Sequence, residues 1–283
     1  MSKTLLIFAV AGGLLAAGGA AQAQTQGPAD WSGVYLGLNG GWHWTDTDSR
    51  DSVTTVNQLT GVSAGAGTVN VPSTSFNSRR GGRGDGFMGG GQVGFNVQSG
   101  GLVWGLEGDF DGVDGRRRDR SDYSLPATNL TTGSTVAIRR YSDARWVSTI
   151  RGRVGFALDR ALIYGTGGLA IADLRQAADY TYAPTVTSAV AAANPGVSYG
   201  PYASGGGYSA TRAGWTAGAG VEFLLTRNVT VGAEYRHTDI GASDRTFGST
   251  GPNGVYESAR LGYRDDAVLG RINIKFSALG HMF

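Results

Sequence analysis

Cysteine is absent from this 283-residue chain. No disulfide framework can staple it, no thiol exists to carry a lipid or a haem, and Cys-ligated zinc is excluded. Charge is scarce as well. Asp, Glu, Lys and Arg make up 16% of the residues, against about 25% in ordinary soluble domains. The net charge of +2 is too small to argue for nucleic acid. Three histidines leave metal chemistry few ligands to draw on, and the residues point to no cofactor. Beyond the N-terminus, no uninterrupted apolar run approaches the ~18 residues of a membrane-crossing helix. Glycine, by contrast, is abundant at 48 residues, where an average composition holds about 7%. Few charges and many glycines suit neither a compact soluble enzyme nor a helical bundle.

The chain opens Met1-Ser2-Lys3, continues through an apolar stretch from Leu5 to about Ala17, and reaches Ala21-Gln22-Ala23. A basic start, a short apolar core and a small-x-small site predict a secretory signal peptide over residues 1–23, cleaved after Ala23 and leaving 24–283 as one domain. The apolar core is too short, and too rich in Gly and Ala, for a spanning helix of about twenty residues.

Downstream, apolar-alternating segments are joined in turn by very short and very long connectors. Trp31–Thr45 runs into a long connector, Gly86–Val97 into the tight turn Gln98–Gly101, and Leu102–Asp111 into a second long one. Arg145–Ala157 meets a turn at Leu158–Arg160, Ala161–Asp173 leads to a third long connector, and Arg212–Leu225 meets a turn at Thr226–Asn228. Val229–Ile240 precedes the fourth long connector, and Asp266–Phe276 closes the set. This predicts an all-β, eight-stranded, antiparallel up-and-down transmembrane barrel, with tight turns and termini on the periplasmic side and long extracellular loops. The loops are expected at about 46–85, 112–144, 174–211 and 241–265, and their small polar residues predict mobility rather than a core.

In a barrel wall successive side chains face lipid and lumen in turn. Val34, Leu36, Leu38, Trp42 and Trp44 share one face of the first segment, opposite Tyr35, Asn39 and His43. The fifth segment is ambiguous, since Ile163, Leu169 and Ile171 compete with Leu162 and Tyr164. The six Trp, at 31, 42, 44, 104, 146 and 215, lie near strand ends, the depth of the aromatic girdles. A soluble sandwich would also alternate, but its apolar face would not be the richer one and its loops would not sort by length.

The lumen face is expected to carry Glu107, Asp109, Asp111, Glu222 and Glu234 against Arg151, Arg153, Arg236, Arg271 and Lys275. An eight-stranded barrel is just wide enough for side chains to fill, so these groups are expected to form ion-pair networks, as a polar core or as the lining of a very narrow channel. Arg79, Arg80 and Arg83 in the first loop, with Arg116, Arg117, Arg118 and Arg120 in the second, are candidates for pairing with lipopolysaccharide phosphates, or are solvated loop charge. No catalytic residue is identified. Tyr235-Arg236-His237-Thr238-Asp239 offers a His and an Asp for an outer-membrane lipid hydrolase, but no Ser on the same face. Haem capture by the loops has no motif.

Several segments resemble the porin family of outer-membrane β-barrel proteins. They include Trp31-Ser32-Gly33-Val34-Tyr35-Leu36-Gly37, Gly89-Gly90-Gly91-Gln92-Val93-Gly94-Phe95-Asn96, Gly105-Leu106-Glu107-Gly108-Asp109-Phe110 and Gly214-Trp215-Thr216-Ala217-Gly218-Ala219-Gly220-Val221-Glu222. The set is similar to the small surface-antigen, or outer-membrane immunogenic protein, type of alphaproteobacteria. That resemblance implies an integral outer-membrane protein of a Gram-negative cell with roles in envelope integrity and surface interaction, and in some relatives haem binding or porin-like permeability. It implies contact with membrane lipid and lipopolysaccharide, and with periplasmic chaperones and the barrel-assembly machinery during biogenesis. That machinery reads a C-terminal aromatic residue, for which Phe276 and Phe283 are both candidates.

Overall fold

The computed structural model describes residues 29–55, 62–64, 67–69, 74–114, 117–125, 131–186, 188–193, 195, 201–248 and 255–276. The predicted signal peptide and Phe283 lie outside the described residues. In chain order the elements are β1 (Gly33–Thr55), β2 (Val62–Ala64), β3 (Gly67–Val69), β4 (Thr74–Ser99), β5 (Leu102–Asp114), β6 (Arg117–Leu125), β7 (Thr131–Leu158), β8 (Ala161–Val186), α1 (Ser188–Ala193), β9 (Tyr202–Leu224), β10 (Val229–Gly248) and β11 (Val255–Phe276).

Antiparallel pairing runs β1, β4, β5, β7, β8, β9, β10, β11 and back to β1, closing an eight-stranded barrel. Closure removes every strand edge from the wall, the condition for crossing a bilayer with β-structure. The three tight turns and both ends of the described chain lie at one rim. Gly100 and Asp159 take left-handed backbone there (φ 60° and 51°), which Gly adopts freely and Asp tolerates.

The alternation read from sequence is the wall. Val34, Leu36, Leu38, Trp42 and Trp44 are exposed, while Tyr35, Asn39 and His43 are buried. The ambiguous β8 resolves with Leu169 65% exposed and Leu162 fully buried, because the Tyr164 hydroxyl on Leu162's face has a carboxylate to reach inside. From Val34 to Trp44, ten steps of about 3.3 Å at a tilt of about 40° span about 25 Å, the height of a barrel's apolar band. Trp42, Trp44, Trp215 and Tyr235 mark its long-loop edge and Trp104, Phe156 and Phe276 its short-turn edge, all of them exposed.

Trp31 departs from the girdle expectation. It is fully buried, with its backbone N–H on Gln98 Oε1 at 2.8 Å and its ring N–H on the Asp159 carbonyl at 3.3 Å. It precedes the first strand, so lipid does not dictate which way its side chain turns.

The long connectors also differ from expectation, because much of each is strand. A backbone ladder needs only a partner strand, and above the membrane no lipid imposes apolar residues on the outward face; Val136, Ile138 and Tyr180 of these extensions are buried. The β4–β5 pairing ends at Phe87–Asp114 and the β9–β10 pairing at Trp215–Asp239. Beyond those points the wall divides into two four-stranded sheets. One holds β10, β11, β1 and β4; the other holds β6, β7, β8 and β9.

Candidate functional site

The lumen is filled in three layers. At the short-turn end Trp31 packs with Val103, Leu162, Tyr164 and Leu224, and Ala29 and Ala157 close against them. Toward the long-loop end Met88, Val147, Ala170, Ala172, Leu174, Ile240, Tyr263 and Leu269 form a second apolar layer. Glycines and small side chains cannot fill such a bore alone; apart from Trp31 and Ala29, which precede β1, the residues of both layers arrive on strands whose outward faces are lipid-exposed.

Between the two apolar layers lie the charges predicted from sequence. Arg151 reaches Glu234 at 2.5 Å, Glu107 at 2.7 Å and Asp109 at 2.9 Å. Arg153 donates to Glu222 at 3.0 Å and to the Tyr35 hydroxyl at 3.1 Å, and lies 4.0 Å over the Tyr164 ring. Arg236 pairs with Asp111 at 2.6 Å and Asp109 at 3.0 Å, and its third contact is the Met88 sulfur of the next layer at 2.9 Å. Arg271 pairs with both Glu107 and Glu234. Every member is buried. Burying ions is costly unless each is paired; here Arg151, Arg153 and Arg271 each bridge carboxylates from different strands, Arg236 joins the two β5 carboxylates Asp109 and Asp111, and among the described residues the Nε–H groups of Arg151, Arg153 and Arg271 have no hydrogen-bond partner.

Two members of this arrangement escaped the sequence reading. Tyr35 donates to Glu107 at 2.6 Å and Tyr164 to Glu234 at 2.8 Å. A phenol at a strand position alternating with lipid-facing residues is the signal that could have placed them in the network. Lys275 is a correction in the other direction. Its ammonium donates to the Asp30 carbonyl at the short-turn rim rather than joining the carboxylates, since β11 places it one layer below them.

His43 faces the lumen near the long-loop rim, as expected, and shares Asp265 (2.7 Å) with the Thr45 hydroxyl (2.9 Å). His237 instead faces outward. Its partner is Asp266 of β11 at 2.7 Å, while Asp239 pairs with Arg264 at 3.1 Å. The His and Asp of one strand are therefore not joined to each other, and the described contacts of His237 are Asp266 and the Trp215 ring at 5.2 Å.

Of the candidate lipopolysaccharide-binding arginines, Arg79, Arg80 and Arg83 lie on the β4 extension and Arg117, Arg118 and Arg120 on β6; Arg116 lies outside the described residues. β6 continues the line of β5 along β7, so both runs follow the same opening where β4 and β5 stop pairing.

The family model for the outer membrane protein beta-barrel domain matches residues 11–264. The 31 kDa outer-membrane immunogenic protein of Brucella melitensis biotype 1 is 27% identical over 230 residues, 77% of this chain and 76% of that protein. A 22 kDa outer membrane protein of Rhizobium leguminosarum bv. viciae is 30% identical over 189 residues, 66% of each chain. Among solved structures, OprG of Pseudomonas aeruginosa aligns over 88% of this chain and 99% of its own, at 11% identity and a TM-score of 0.40. With its closed wall and lipid-facing apolar band, this chain belongs to the outer membrane protein beta-barrel domain family, and its place is the outer membrane.

Proposed function

We propose that this barrel is a sealed structural and surface-interaction component of the outer membrane, neither a pore nor an enzyme, delivered by a signal peptide cleaved after Ala23. The filled lumen carries that reading. Two apolar layers cap a charged one in which guanidiniums reach across the bore to carboxylates on other strands. An ion crossing it would have to part pairs that are costly to break. Work at the cell surface then falls to the two extended sheets. Their arginine-bearing strands border one opening, a placement suited to phosphate groups of lipopolysaccharide.

Planar-bilayer recording of the refolded, full-length protein tests this reading. The expected result is an unchanged baseline apart from rare, small events. Stable, stepwise, ion-selective currents in every insertion would overturn it.

A further inference from the structure

A polar cluster stands on the lipid-facing side of the wall, at the long-loop edge of the apolar band. Asp266 is 40% exposed and His237 29% exposed. The Tyr235 hydroxyl, at 2.6 Å, and His237 Nδ1, at 2.7 Å, both meet Asp266 Oδ1. Among the described residues, Asp266 Oδ2 takes no hydrogen bond from the chain. Trp44 stands beside Asp266 in register on β1, Trp42 is one exposed position below it, and the Trp215 ring lies against His237.

A carboxylate on the outer wall of a barrel is tolerated near the headgroups and costly below them. At that depth its partners are lipid headgroups. With Nδ1 of His237 held by Asp266, the patch offers the carboxylate oxygen Oδ2 as an unfilled acceptor beside the imidazole, framed by aromatic faces. Phosphate brings no donor to such a site. The cation one row above, Arg264, donates to Asp239 and stands in register with Asp46 on its other side, so the surroundings are acidic. A sugar ring satisfies the arrangement, since its hydroxyls donate to the carboxylate and can pair with the imidazole beside it while its C–H face lies on indole.

We infer that this patch binds the sugar headgroup of an outer-leaflet glycolipid, an acylated amino-sugar of the lipopolysaccharide kind. It is separate from the arginine-bearing strands and independent of whether the lumen conducts. It holds the sugar portion from the side of the wall.

Native mass spectrometry of the refolded full chain, released from neutral detergent micelles, tests the assignment with three probes: dephosphorylated lipid A, phosphatidylglycerol and phosphatidylethanolamine. Dephosphorylated lipid A is expected to be retained about tenfold more tightly than either phospholipid, and Asp266→Asn and His237→Ala are each expected to remove about that factor, the worth of one charge-assisted hydrogen bond. Trp104→Phe, at the opposite girdle, is expected to change nothing, and heat-modifiable mobility reports folding of every variant. Where Asp266→Asn fails to fold, His237→Ala and Trp44→Leu carry the same test. Equal retention of phosphatidylglycerol would show nonselective lipid binding, and equal retention of phosphatidylethanolamine would assign the carboxylate to an ammonium. Either result, or undiminished retention by both Asp266→Asn and His237→Ala, overturns the proposal.

Discussion

Replacing Arg271 with Met removes the guanidinium that joins Glu107 to Glu234 and donates to the Tyr164 hydroxyl at 2.7 Å. The charged layer holds five carboxylates (Glu107, Asp109, Asp111, Glu222, Glu234) and four guanidiniums (Arg151, Arg153, Arg236, Arg271), all buried. The substitution leaves five against three. Removing one partner of a buried pair costs about 3–5 kcal/mol, a large share of the ~5–15 kcal/mol that holds a typical domain together. With a urea dependence of about 2 kcal/mol per molar, a loss of about 3 kcal/mol moves the unfolding midpoint down by about 1.5 M. Glu234→Gln alone is also expected to destabilise. The double variant is expected to lose less than the sum of the two by at least about 1.5 kcal/mol, because the second substitution removes a carboxylate that the first left under-compensated. The assay is equilibrium unfolding in lipid vesicles, followed by tryptophan emission. Single costs below about 1 kcal/mol, as for exposed pairs, together with additivity within about 0.5 kcal/mol, would mean that water screens the layer. The sealed-lumen argument would then fail.

Other perturbations probe other parts of the structure. Trp31→Ala is expected to cost about 3–5 kcal/mol in the same unfolding assay, since it empties the apolar layer at the short-turn end. A Cβ at Gly168 would lie 2.0 Å from the Ile150 carbonyl oxygen, whereas at Gly152 nothing lies closer than 3.9 Å. Gly168→Val is therefore expected to abolish the heat-modifiable folded band, and Gly152→Ala to preserve it. On intact cells, added protease is expected to cut within the long hairpins and to spare the turn at Ser99–Gly101; cleavage at that turn would reverse the orientation. Phe276 ends the last described strand, exposed and paired in register with Val34. Phe276→Ala is expected to lower the yield of assembled barrel in vivo, read by heat-modifiable mobility, and an undiminished yield would point to Phe283.

The wall was legible in the sequence because lipid imposes a strict period of two. A one-residue slip in β1 would turn Tyr35, Asn39 and His43 into hydrocarbon, and the register avoids it. The same logic located Glu107, Arg151 and Glu234 inside without naming their partners, since partnership depends on how the closed circle brings facing strands together. Trp31 was misplaced because residues outside the first strand obey no alternation. The extended sheets were hidden for a related reason, since above the membrane no lipid demands an apolar face, and Thr, Ser, Gly and Asp serve a strand as well as they serve a loop. Asp266 was readable as a residue on the outer face, but its union with His237 and Tyr235 across the β10–β11 pair required the register.

The charged layer also bears on the order in which the barrel can be completed. Its carboxylates come from β5, β9 and β10 and its guanidiniums from β7, β10 and β11, so the inventory is incomplete until the last strand is in place. β11 both closes the circle against β1 and delivers Arg271 to Glu107 and Glu234. A chain truncated before β11, or closed out of register, would leave Glu107 and Glu234 without Arg271 in a narrow bore, relying on Arg151, which they share with Asp109. The ionic layer thus acts as a proofreader of assembly, penalising every circle that closes with a strand missing or displaced.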